Sequence, residues 1–235
     1  MSRFVTNITK KKDSSAQEDI AIAILSAGTG NRIRSYEPRS LLKIGSKCLV
    51  EHQIQTIEQC FENPEIINVV GCHAKKVIKK IRGRLRIVEN QLHETSNSSE
   101  SLRLAFNNTT KESMLFMHGD LYFNENTLRD LDYSKSFVVV DTKQQIKDNE
   151  VGVTIQDKRA TTMSYGLPVK WAQIAFIKGR EYKILKNIFS KYEEQDKKRL
   201  SFEIINMIIN TGGKFLCHEP EKMSILEIDR IKDIR

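Results

Sequence analysis

The 235 residues carry 38 lysines and arginines against 30 aspartates and glutamates, a formal charge of +8, with 39% hydrophobic and 29% charged side chains. That length suffices to bury a substantial core and predicts one domain, and the composition excludes a disordered chain. No apolar run approaches the roughly 20 residues that a membrane-spanning helix needs, and no apolar leader follows the lysine-rich start, so neither a membrane span nor a secretory signal is expected.

Residues 1–18 are polar and are expected to form a flexible tail, ahead of one domain spanning 19–235. Ala21 to Leu25 is a short apolar, β-leaning run that reads as a buried strand, and it runs into the small residues Ser26, Ala27, Gly28, Thr29 and Gly30. Val50, Ile54, Ile57 and Phe61 then recur at helical spacing. Ile66 to Val70 reads as a strand, Lys75 to Ile81 as a helix and Leu85 to Val88 as a strand. Leu102, Ala105 and Phe106 share a helical face behind Asn97-Ser98-Ser99-Glu100, which has the form of a capping box. Ser113 to Met117 predicts a strand ending at His118-Gly119-Asp120, followed by a helix over Asn124 to Leu131 that Asn124 is placed to cap. Phe137 to Val140 reads as another strand.

Beyond about residue 140 the rhythm changes. Val151–Ile155, Ala160–Met163 and Trp171–Ile177 read as strands with short links, partly antiparallel. Helices are expected around Tyr182–Tyr192 and Phe202–Ile209, with a late strand at Lys214–Cys217. The β/α alternation of the first half implies a mainly parallel sheet covered by helices, with ligands expected at the carboxyl ends of its strands.

The chemistry-bearing stretch is the first strand and its turn. A buried strand that runs into glycines lets backbone N–H groups approach a phosphate chain, because no Cβ stands in the way. Arg32, two residues past the second glycine, adds a planar fork of donors suited to phosphate oxygens. The dinucleotide fingerprint would need a third glycine where Ile33 stands, and a Walker loop would need a terminal Gly-Lys-Ser/Thr, which is missing. The dispersed lysines and arginines are not interleaved with aromatic residues, which argues against nucleic acid as partner and for a small anion. Cys48, Cys60, Cys72 and Cys217 lack metal spacing and read as reduced thiols of a cytoplasmic protein, and Cys72-His73 has no second ligand pair nearby.

Leu25-Ser26-Ala27-Gly28-Thr29-Gly30-Asn31-Arg32, followed by Pro38-Arg39-Ser40-Leu41-Leu42 and by Ile44-Gly45 through His52, resembles the signature of nucleotidyltransferases of the GT-A-like α/β fold. The resemblance extends to their phosphocholine cytidylyltransferase-like, sugar-phosphate and MobA-like branches. It implies a single-domain, Rossmann-like (GT-A-like) fold with a mixed, mainly parallel central sheet flanked by helices. It further implies transfer of an NMP, with CTP the preferred donor, to a phosphorylated small-molecule acceptor with release of pyrophosphate.

On the same grounds Ser26, Ala27, Gly28, Thr29, Gly30 and Asn31 would hold the nucleotide, with Asn97, Ser98 and Ser99 from the helix start. Arg32 and Arg39 would be catalytic, Arg39 standing where the family usually has lysine. Asp120 and Asp229, the latter in Leu226-Glu227-Ile228-Asp229, would bind Mg2+, whose hard-oxygen preference suits carboxylates. His118 reads as positional, because a phosphate nucleophile is already ionised. Trp171 and Tyr165 read as core, and Lys170 and Lys178 as unranked candidates for the acceptor phosphate. A homodimer is compatible with the sequence. The alternatives are a GT-A glycosyltransferase using a nucleotide sugar and a catalytically weakened nucleotide-binding relative.

Overall fold

The computed structural model describes residues 19–28, 38–81, 83 and 85–228. Thr29, Gly30, Asn31, Arg32, Asp229 and the 1–18 segment, all singled out from the sequence, lie outside the described residues.

The first strand, β1 (Ala21–Ser26), is buried on both faces, as an apolar run in the middle of a parallel sheet must be. A short 3-10 turn (Arg39–Leu41) and the two-residue strands β2 (Lys43–Ile44) and β3 (Lys47–Cys48) lead into helix α1 (Leu49–Cys60). Glu51 accepts the Cys48 N–H at 2.9 Å and the Cys48 thiol at 3.1 Å, closing a capping box at the helix start. The chain continues through β4 (Glu65–Val70), α2 (Ala74–Ile81), β5 (Arg86–Glu89), α3 (Ser98–Phe106) and β6 (Ser113–His118).

Next come β7 (Leu121–Phe123), the single turn α4 (Asn126–Arg129) and β8 (Phe137–Asp141). The hairpin of β9 (Val151–Gln156) and β10 (Arg159–Tyr165) precedes the long β11 (Val169–Lys178). Helices α5 (Gly179–Ser190) and α6 (Ser201–Asn210), with a 3-10 turn at Glu194–Lys198 between them, lead to β12 (Phe215–His218) and β13 (Ile225–Glu227). One reading is corrected here. The helix expected over 124–131 is one turn long, although Asn124 does cap it by accepting the Thr127 N–H at 3.2 Å. The segment before it, Leu121–Phe123, is a strand because it finds Ile225–Glu227 as an antiparallel partner a hundred residues away.

One nine-stranded sheet runs β5-β4-β1-β6-β11-β8-β12-β10-β9. Its first four strands are mutually parallel, and β11 enters antiparallel to β6. A further β11–β9 pairing closes β11, β8, β12, β10 and β9 into a ring. Side chains alternate across the sheet. Ala21, Ala23 and Leu25 face a cluster with Leu102, Ala105, Leu185 and Ile205 from α3, α5 and α6. Ile22 and Ile24 face another with Ile54, Ile57 and Val77 from α1 and α2.

Candidate functional site

Because β4 and β5 extend the sheet from one edge of β1 and β6 from the other, chain order reverses between β1 and β6. A crevice opens beyond the carboxyl ends of strands at such a reversal. A cleft of about 490 Å³ lies there, with a floor of Leu25, Ser26, Ala27, Gly28, His118, Gly119 and Asp120. One wall carries Asn90, His93, Ser96, Asn97, Ser98 and Ser101, and the other Glu150, Tyr165, Trp171, Gln173 and Glu227, with Ser201 and Phe202 from the start of α6. Leu25 is the register partner of His118, and the Gly119 N–H continues the ladder to the Leu25 carbonyl at 2.9 Å. A Cβ on Gly119 would stand 2.2 Å from Ser26 Oγ, so the close approach of the two turns requires glycine there.

Asp120 and Arg39, predicted separately from distant motifs, meet on this floor. Arg39 Nη1 lies 2.6 Å from Asp120 Oδ2, a short charge-assisted contact. Asp120 Oδ1 is buried and has no hydrogen-bond partner among the described residues, and neither has Ser26 Oγ. Such orphaned acceptors call for an explanation, and an ion or ligand is one.

His118 is held rather than free. Its Nε2 lies 2.9 Å from Ser201 Oγ, its ring meets Trp171 edge-on at 5.6 Å, and its carbonyl accepts from Gln53 Nε2 at 2.9 Å. Burial lowers its pKa below the ordinary 6.5; the Asp120 charge and a side-chain hydrogen bond with Gln173 oppose this, and the Arg39 charge adds to it. Burial thus favours the uncharged form of the ring.

The starts of α3 and α6 both border the cleft. Ser98 and Ser101, one turn apart, face it, and Ser98 Oγ accepts the Ser201 N–H at 2.8 Å. Ser99 does not face it. It is fully buried, with Oγ on the Asp196 carbonyl at 2.8 Å and the Tyr192 hydroxyl at 2.7 Å, which corrects its assignment to the nucleotide. The capping box expected at Asn97 is also absent. The Asn97 amide donates to the Lys198 carbonyl at 2.7 Å, and Glu100 instead takes a two-point bond from Arg103 at 2.7 and 2.8 Å. Tertiary partners in the 194–200 segment outcompete the local motif.

On the opposite wall Trp171 is buried, as expected, but Tyr165 is 49% exposed, a correction to its reading as core. Lys170 is locked to Glu150 at 2.7 Å in a buried ion pair, and Lys178 Nζ donates to the Tyr133 carbonyl at 3.1 Å. Neither lysine lines the cleft. Sequence reasoning missed Asn90, Ser101, Glu150, Gln173 and Ser201. Gln173 had left a trace, as the one polar residue in an otherwise apolar Trp171–Ile177 run.

Among the described residues no group of three His, Cys, Asp or Glu side chains is arranged to hold a metal. Magnesium does not require one, since it keeps waters and phosphate oxygens and takes one or two carboxylates from the protein. The unpartnered Asp120 Oδ1 fits that demand. The backbone of Ile228, the last described residue before Asp229, donates to the Asp120 carbonyl at 2.8 Å.

Comparison with known proteins agrees with this geometry. Residues 22–167 match the MobA-like NTP transferase domain family. The CTP:phosphocholine cytidylyltransferase from Streptococcus pneumoniae superposes with a TM-score of 0.73 at 21% identity, over 92% of this chain and 96% of its own. The inositol-1-phosphate CTP transferase from T. maritima gives 0.72 at 17% identity, over 92% and 91%. At those identities the likeness is one of fold. The bifunctional protein GlmU of Francisella tularensis subsp. novicida (strain U112) is 26% identical over 102 residues, 43% of this chain and 22% of that protein. The chain thus spans about a fifth of the length of the curated relatives it matches. No helix among the described residues is long and apolar enough to cross a membrane.

Proposed function

The chain belongs to the MobA-like NTP transferase domain family, and we propose that it is a nucleotidyltransferase which moves an NMP from an NTP onto a phosphorylated small-molecule acceptor. CTP is the preferred donor in this reading, because the S. pneumoniae and T. maritima neighbours are both described as acting with CTP. A phosphate oxygen of the acceptor attacks the α-phosphorus, the bond from that phosphorus to the bridging oxygen breaks, and pyrophosphate leaves with the electron pair.

Residues from both ends of the cleft support the assignment. The Ser26–Gly28 backbone borders the phosphate chain, and Thr29, Gly30, Asn31 and Arg32 are assigned to the same chain from the sequence. Asn97 and Ser98, which line the cleft at the start of α3, are assigned to the nucleoside in this reading. Arg39 neutralises charge that grows on the α-phosphate, and His118 keeps the floor in place. The acceptor lies toward Tyr165, Trp171 and Gln173. Mg2+ would be held by Asp120 and Asp229 and would supply charge neutralisation and alignment of the phosphates. Such transfers depend on positioning and preorganised charge more than on proton transfer.

The observation that carries the reading is Asp120. It sits at the reversal of strand order with one oxygen on Arg39 and the other buried without a partner. The test is pyrophosphate release from each NTP with a panel of phosphorylated acceptors. Asp120→Ala is expected to lower the rate by about 10²–10³-fold. Equal release by the variant removes Asp120 from the reaction, and no release by the wild type with any pair removes the reading.

A further inference from the structure

Gln173 occupies a bulge in β11. Against β8, Trp171 pairs with Val140 and Ala175 with Val138, so β11 takes four steps where its neighbour takes two. Gln173 has φ of +59°, in the left-handed region that favours glycine. A straight-chain residue held there is strained, and such strain persists where surrounding contacts over-determine it, most often at functional sites. The bulge is pinned from within, since Trp171 Nε1 donates to the Ile174 carbonyl at 3.1 Å across it.

The bulge is accompanied by a bridge along this wall of the cleft. Gln173 Nε2 donates to Glu227 Oε2 at 2.6 Å, and Gln173 stands beside His118, because its neighbour Ile174 pairs with Met117 on β6. Glu227 is the last residue of β13, a strand that pairs with the short β7 and not with the main sheet. The placement of β13 relative to β11 therefore falls to side-chain contacts such as this one, alongside the backbone bond from Ile228 to the Asp120 carbonyl.

We propose that Gln173 is a positioning residue that ties the end of β13 to β11 beside the His118–Gly119–Asp120 turn, and so holds Leu226–Ile228 at the cleft. The tether stands on the contacts alone, whereas its consequence for turnover rests on the nucleotidyltransferase reading. Glycine would adopt the same backbone without cost.

The experiment is Gln173→Gly in the full chain, which relieves the backbone and deletes the bridge. The thermal midpoint is expected to stay or rise, while the Ile228 amide exchanges with solvent about tenfold faster. The kcat for pyrophosphate release is expected to fall about 10–100-fold, with KM for the nucleotide within about threefold. Unchanged exchange at Ile228, unchanged kcat in an active enzyme, or a fall in thermal midpoint that accounts for lost activity would overturn the proposal. A wild-type protein inactive with every NTP and acceptor would defeat the functional reading only, and exchange at Ile228 would still decide the tether.

Discussion

Arg39 and Asp120 lie 81 positions apart in the chain, and their side chains meet at 2.6 Å on the floor of the cleft, each less than one-fifth exposed. The pair balances charge in a half-buried place, so removing one partner strands the other. Arg39→Met is expected to destabilise the fold by about 1–3 kcal/mol and to lower pyrophosphate release about 100-fold. Arg39→Lys keeps the charge but loses the planar fork, and should retain activity within about tenfold of wild type. Urea unfolding and initial rates measure both. Equal losses for Met and Lys would show that charge is not what Arg39 supplies.

Gly119 is tested by its nearest neighbour. An added Cβ would meet Ser26 Oγ at 2.2 Å and Ser26 Cα at 2.8 Å, the latter being backbone that moves only with β1. Gly119→Ala is expected to cost about 1–3 kcal/mol in urea unfolding and to weaken nucleotide binding by displacing the Ser26–Gly28 turn. Adding Ser26→Gly removes the closest clash and should restore part of the loss. A Gly119→Ala protein with wild-type stability and affinity would contradict the close approach described here.

The Glu150–Lys170 pair is buried, with side chains 6% and 11% exposed, and Glu150 lines the cleft. Burial opposes ionisation of Glu150, but the Lys170 hydrogen bond and charge and the Lys147 N–H outweigh it and hold the carboxyl below the ordinary range. Lys170→Met leaves that buried charge with only the Lys147 N–H at 2.8 Å and the Lys147 ammonium at 3.7 Å, and should cost about 3 kcal/mol. The double variant Glu150→Gln/Lys170→Met should recover most of it in the same urea titration. Additive losses would mean that the pair is not coupled.

Glu51 sets an acid limit on stability. Burial opposes its ionisation, yet the Cys48 N–H and thiol bonds and the Lys80 charge prevail and hold it at about 2. The folded value lies below the ordinary 4.5, so the stabilisation is full above pH 4.5 and is lost as pH falls toward 2. It amounts to at most about 3 kcal/mol. Glu51→Gln should flatten the fall of the thermal midpoint between pH 4.5 and pH 2. An unchanged slope would relocate the acid sensitivity to other carboxylates.

The local order of the chain was plain before any coordinates. Ala21 to Leu25 declares a doubly buried strand, the helical spacing of Val50, Ile54 and Ile57 declares α1, and Asp120 at the end of Ser113–His118 marks a strand terminus at a ligand cleft. These features are legible because each depends on neighbours within a turn or two. Ser99 was misplaced because one residue along a helix turns the side chain about 100°. Ser98 and Ser101 share the cleft face, and Ser99 points inward to Tyr192 and the Asp196 carbonyl.

The order of strands and helices and the acid at the end of β6 were written into the chain, because hydrophobic period and turn chemistry act over short range. The pairing of Arg39 with Asp120, the strand partnership of Leu121–Phe123 with Ile225–Glu227, and the bulge that turns Gln173 toward Glu227 come from long-range packing. Each depends on which surfaces meet after the sheet closes, and no local pattern carries that information.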